Sequence, residues 1–103
     1  MTQKVYIAEV ADLPLKMGLE VKNGAESIAV FKLSDTEIYA IGNICPHAGG
    51  PLADGMVSGK EVICPLHSLH LNLVTGQPIT EDDLEDVPVY ETAIEAGKFY
   101  IMV

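Results

Sequence analysis

Cys45-Pro46-His47-Ala48-Gly49-Gly50-Pro51-Leu52 and, further on, Cys64-Pro65-Leu66-His67 are the two stretches on which the reading of this 103-residue chain turns. Each supplies one thiol and one imidazole at short spacing, and sixteen residues separate His47 from Cys64. Four soft or borderline donors are enough to close a metal site. A lone Cys-x-His would be a weak signal. Two of them, each with proline directly after the cysteine and each leading into a loop, are a specific one. From Asn43 to Ser68 the chain also carries Gly55, Gly59 and the prolines and glycines just quoted. That density of punctuation calls for loops with special backbone geometry.

Outward from these boxes, short apolar segments alternate with turn signals and helical periodicity is scarce, which predicts an all-β fold. The expected strands are Val5–Glu9, Ser27–Leu33, Glu37–Gly42, Glu61–Cys64, Leu69–Val74, Val87–Ile94 and Lys98–Val103. Leu69, Leu71 and Leu73 alternate with His70, Asn72 and Val74, so the leucines face a core. Ser34-Asp35-Thr36 and Ala96-Gly97 read as hairpin turns. Leu13–Gly18 is the place for a helical turn. The whole reads as a single domain over residues 1–103, a β-sandwich base with a loop-rich subdomain at about 43–70.

The formal charge of −9 arises from fifteen acids against six lysines. That balance argues against nucleic-acid binding, which needs cations to neutralise phosphates. It reads as a solubility device or as a means of docking onto a basic partner. No apolar run is long enough to span a bilayer, and the N-terminus lacks the apolar stretch of a signal peptide. A cytoplasmic location follows as the expectation, and there a cysteine pair points to metal, catalysis or inert burial rather than a lasting disulfide.

Three readings compete for the boxes. A structural Cys2His2 zinc site has the same ligands, but such sites usually pair their cysteines as Cys-x2-Cys. A Cys–His nucleophile would leave the second box unexplained. Inert buried cysteines would make the histidines incidental. Against these stands a resemblance: the two boxes, with the Thr75-Gly76 step after the second, resemble those of Rieske iron–sulfur proteins. It extends over nearly the whole chain. It implies an antiparallel β-sandwich base carrying the cluster-binding subdomain, and one 2Fe–2S cluster, with Cys45 and Cys64 on one iron and His47 and His67 on the other, the latter nearer the surface. Neutral imidazoles in place of two thiolates make reduction easier, so such centres lie at about −150 to +300 mV. Gly49 and Gly50 would let backbone N–H groups approach the sulfurs and stabilise added charge.

Departures from the family narrow the choice. Respiratory and photosynthetic members carry a further cysteine in each box and join the two in a disulfide; Gly50 and Leu66 stand there instead. Their serine and tyrosine donors after the second box are replaced by Leu69 and Leu71. Oxygenase terminal subunits need a second iron domain, for which this length leaves no room. The run from Cys45 through Ala53-Asp54-Gly55-Met56-Val57-Ser58-Gly59 is most similar to cluster-retaining small subunits of assimilatory NAD(P)H-dependent nitrite reductase. That resemblance implies a large flavin- and sirohaem-containing subunit as partner. The alternative is the ferredoxin component of an aromatic ring-hydroxylating dioxygenase, with an oxygenase and its reductase as partners. A third reading, of another class, is a structural subunit whose cluster only stabilises the fold. His70 is expected as an exposed strand residue and not a ligand, Glu81–Asp86 as a solvated loop, and Tyr90, Phe99 and Tyr100 as packing residues.

Overall fold

The computed structural model describes residues 3–24, 26–44, 51–64, 70–79 and 86–102. Its strands are β1 (Lys4–Glu9), β2 (Gly18–Asn23), β3 (Glu26–Lys32), β4 (Ile38–Gly42), β5 (Met56–Ser58), β6 (Glu61–Ile63), β7 (His70–Asn72), β8 (Val89–Tyr90), β9 (Thr92–Glu95) and β10 (Lys98–Met102). Single 3-10 turns occur at Val10–Asp12 and Leu52–Asp54. The strands form three antiparallel sheets, in the orders β1-β10-β9, β2-β3-β4-β8 and β5-β6-β7. The all-β expectation holds.

The run Ile28-Ala29-Val30-Phe31 is buried throughout. Successive strand residues point to opposite faces, so this run serves two cores at once. Ala29 and Phe31, with Ile41 of β4, join Leu52, Val62, Cys64, Leu71, Leu73 and Val87. Ile28 and Val30, with Ile38 and Ala40 of β4, join Val10, Leu13, Phe99 and Ile101. β3 and β4 are thus the wall between a core against β1-β10-β9 and a core under β5-β6-β7. Burial on both faces explains the continuous apolar run, which has no alternation.

The predicted hairpins form. In the β3–β4 turn the Leu33 N–H donates to the Glu37 carbonyl over 2.8 Å. At the β9–β10 turn Glu95 pairs with Lys98, and Ala96 and Gly97 take φ of 51° and 74°. That is the left-handed pair a two-residue turn needs to match strand twist. Three readings need correction. The helical turn lies at Val10–Asp12 and not at Leu13–Gly18. The buried Lys32 ammonium draws the chain in there, donating to the carbonyls of Val10 (2.7 Å) and Leu13 (3.4 Å). The expected strand Val87–Ile94 is two strands, because the chain changes sheets at Glu91: β8 pairs with β4 and β9 with β10. Finally, β2 and β5 are strands where none was expected.

Candidate metal centre

Cys64 follows directly on β6 and is 2% exposed. Its neighbours in the core are the leucines of β7 and its exit, Leu71 and Leu73, together with Val62, Leu52 and Ala53. The predicted alternation is present: Leu71 and Leu73 are fully buried, while Val74 is exposed. Cys45, His47 and His67 lie outside the described residues, as do Gly49, Gly50, Leu66 and Leu69. What the structure defines is the framework from which both boxes spring.

For the first box, Ile44 and Pro51 form an antiparallel bridge that holds together the chain on either side of residues 45–50. For the second, Ile63 pairs with His70, so β6 and β7 hold together the chain before Cys64 and the chain after residue 69. The two roots touch. β5 pairs with β6, Met56 opposite Ile63. Just before it, Gly55 lies so close that a Cβ there would run into the Ile63 carbonyl and the Val62 side chain. Leu52 from the first root and Cys64 from the second share one apolar floor. Gly55 is therefore needed for close approach of two backbones. The chain segments flanking the two boxes thus lie side by side, next to buried Cys64; a thiolate is a donor that iron–sulfur centres use.

The arm after the second box is also fixed. The Asn72 carboxamide oxygen accepts from the N–H groups of Val74 (2.7 Å) and Thr75 (3.2 Å), turning the chain at the Thr75-Gly76 step. The Val87 N–H then donates to the Gly76 carbonyl over 2.9 Å. His70, expected as exposed, is half-buried, and its Nδ1 lies 2.9 Å from Glu61 Oε1 on the adjacent strand. This pair braces the hairpin beneath the second box.

Sequence reasoning missed Asn43. It is 2% exposed and takes hydrogen bonds from both Leu52 and Ala53, beyond residues 45–50 in the chain. Its position just before Ile44-Cys45 was visible, but its partners were not. Among the described residues no cluster of His, Cys, Asp or Glu could hold a metal ion by itself. Asp86 is exposed, and the rest of the acidic stretch lies outside the described residues. Phe99 is fully buried, as expected, and Tyr100 stacks edge-on against Tyr6 at 5.8 Å. No helix among the described residues is long and apolar enough to cross a membrane.

Comparison with known proteins agrees with this framework. The family profile of the Rieske [2Fe-2S] domain matches residues 3–91. The ferredoxin component of the naphthalene 1,2-dioxygenase/salicylate 5-hydroxylase systems of a Ralstonia species is 32% identical over 96 residues, covering 92% of this chain and 91% of the relative. The solution structure of the nitrite reductase [NAD(P)H] small subunit from Erwinia carotovora superposes with a TM-score of 0.81 at 29% identity, covering 100% of this chain and 83% of that one. A chain from the complex of reduced oxygenase and oxidised ferredoxin in carbazole 1,9a-dioxygenase superposes with a TM-score of 0.86 at 26% identity, covering 94% and 99%.

Proposed function

Since the chain belongs to the Rieske [2Fe-2S] family, we propose that Cys45 and Cys64 ligate one iron of its cluster and His47 and His67 the other. The protein is a Rieske electron-transfer protein with a 2Fe–2S cluster. When bound, that cluster accepts and releases one electron at a time. The proposed residues would lie in a cluster-binding subdomain at about 43–70, within one domain spanning residues 1–103. The observation that carries the assignment is the shared root: Gly55 lies against Ile63, and buried Cys64 lies on the same floor as Leu52. The chain's own residues supply the rest. Leu52, Val62, Leu71 and Leu73 exclude water from the Cys64 side, and a dry environment strengthens hydrogen bonds to the sulfurs.

At the finer level we propose the small subunit of a cytoplasmic, assimilatory NAD(P)H-dependent nitrite reductase. Likeness to the Erwinia small subunit over the full length of this chain supports it. So does Leu71, where oxygenase ferredoxins more often carry phenylalanine; here it is fully buried beside Cys64. The partner is then a large flavin- and sirohaem-containing subunit that takes electrons from NAD(P)H and reduces nitrite to ammonium. Contact would centre on the tip bearing His47, Pro65 and His67, with Asp82 and Asp83 as a secondary region. A second reading is kept because the Ralstonia dioxygenase ferredoxin is 32% identical over nearly the full length of both chains.

Reconstitution separates the readings. The large subunit is mixed with this protein, wild type or Cys45→Ser, and nitrite-driven NAD(P)H oxidation is followed. Stimulation by wild type alone is expected. If neither form binds while the wild type instead supports an aromatic-ring dioxygenase, the ferredoxin reading replaces this one. If both forms stimulate equally, the cluster is structural and electron relay is abandoned.

A further inference from the structure

Asn43 and Lys32 are the buried polar or charged residues among the described part of the chain. Burying a carboxamide costs free energy unless its donors and acceptors are met. At Asn43 they are met by the two arms of the first box and by the wall behind it. Its backbone carbonyl accepts from the Leu52 N–H over 2.6 Å, and its side-chain carbonyl accepts from the Ala53 N–H over 2.8 Å. One residue thus grips the arm before Cys45 and the arm after Gly50 together. Behind it, the Asn43 amide donates to Ser27 Oγ (3.0 Å) and to Glu20 Oε2 (3.3 Å). The Ser27 hydroxyl donates to the same carboxylate over 2.6 Å, and the Asn43 N–H donates to the Ser27 carbonyl over 3.0 Å. The clamp is therefore anchored to β3 and β2, the most extensively paired part of the central sheet.

An apolar side chain of similar volume would fill this place without any desolvation of polar atoms. It would leave the Ala53 N–H, at the start of the 3-10 turn Leu52–Asp54, without its acceptor. The requirement for an amide thus lies with the loop and not with the core. We propose that Asn43 is a positioning residue for the cluster: by fixing both arms of the first box against Ser27 and Glu20, it sets how Cys45, His47 and the backbone between them meet the irons and sulfurs. This rests on the reading of the two boxes as the cluster ligands. Hydrogen-bonded supports around metal ligands typically change affinity by about 10–100-fold when removed.

The test compares cluster-loaded wild type with Asn43→Ala, Ser27→Ala and Lys32→Met. Lys32 braces the opposite core through the carbonyls of Val10 and Leu13, so its variant controls for loss of stability alone. Asn43→Ala is expected to alter the g-values of the reduced protein in electron paramagnetic resonance and to shift its midpoint potential. It should also lose the visible absorbance of the cluster to a chelator about tenfold faster. Ser27→Ala, which spares the bond to Ala53, should show the same changes at smaller size. Lys32→Met should lower the melting temperature and leave g-values and potential as in wild type. The proposal is overturned if Asn43→Ala and Ser27→Ala keep wild-type g-values, potential and chelator resistance, whatever their melting temperatures. If Asn43→Ala does not fold, Ser27→Ala decides by the same readouts. Wild type that takes up no cluster at all would sink the ligand assignment rather than the role of Asn43.

Discussion

At the scale of single residues, chemistry of the donor atoms dominates. A serine oxygen is a harder, weaker ligand for an iron–sulfur centre than a thiolate, so Cys45→Ser and Cys64→Ser should each abolish the visible absorbance and the paramagnetic signal of the reduced protein. His47→Ala and His67→Ala should do so nearly as completely. His70→Ala should leave both intact, because its Nδ1 is engaged by Glu61 across the strand pair. Bleaching of His70→Ala would refute the ligand set. Lys32 is a different case. Its ammonium meets the carbonyls of Val10 and Leu13 in the core against β1-β10-β9 and lies 3.5 Å from exposed Asp35. Lys32→Met keeps the stem and orphans two carbonyls, at a cost of about 1–3 kcal/mol. Urea unfolding measures it, and an unchanged midpoint would mean that water replaces the ammonium.

At the scale of elements, β3 carries the most. Phe31 is fully buried between β3 and the floor beneath Cys64. Phe31→Ala should destabilise by about 3–5 kcal/mol, read as a shift in denaturant midpoint at constant slope. The link between β3 and β8 brings a pH dependence. Burial, and then the hydrogen bond to Glu26 at 2.6 Å, push the Tyr90 hydroxyl up to about 12. An unfolded tyrosine loses its proton near pH 10. Between those values the folded state holds the proton that the unfolded state has lost. The stability from this group is therefore complete below about pH 10 and is lost as pH rises through 12. Absorbance titration of phenolate should show a late component near pH 12 that Tyr90→Phe removes. A Tyr90→Phe titration indistinguishable from wild type would refute it.

For the molecule as a whole, charge and cluster environment set behaviour. Leu69 and Leu71 stand where respiratory relatives place hydroxyl donors, and Leu71 is sealed in the core. Without such donors the reduced form is less favoured, and the midpoint potential should fall at about −150 to 0 mV at pH 7 by voltammetry. A value well above that would mean that another donor compensates. The charge of −9 predicts that binding to a larger redox partner weakens as salt rises from low to physiological strength, where the screening length is about 8 Å. Salt-independent binding would assign the contact to apolar surface instead.

Features that depend on local chemistry and short-range pattern are legible in the chain. The two boxes stand out as donor candidates because few residue types bind iron, and Cys64 lies buried in the fold. The leucine alternation around Leu71 and the Ala96-Gly97 turn are legible because strand pleat and turn sterics act over a few residues. Features that depend on distant chain segments emerge only on folding. The run Ile28–Phe31 has no period, so only the second core on its other face explains it. Glu91 carries no break signal, yet the chain changes sheets there because β4 and β10 offer separate edges. Asn43 is an ordinary asparagine until Ser27, sixteen positions away, and Ala53, ten away, converge on it. A buried amide gains its meaning from the partners that folding delivers, and those partners are written nowhere near it in the chain.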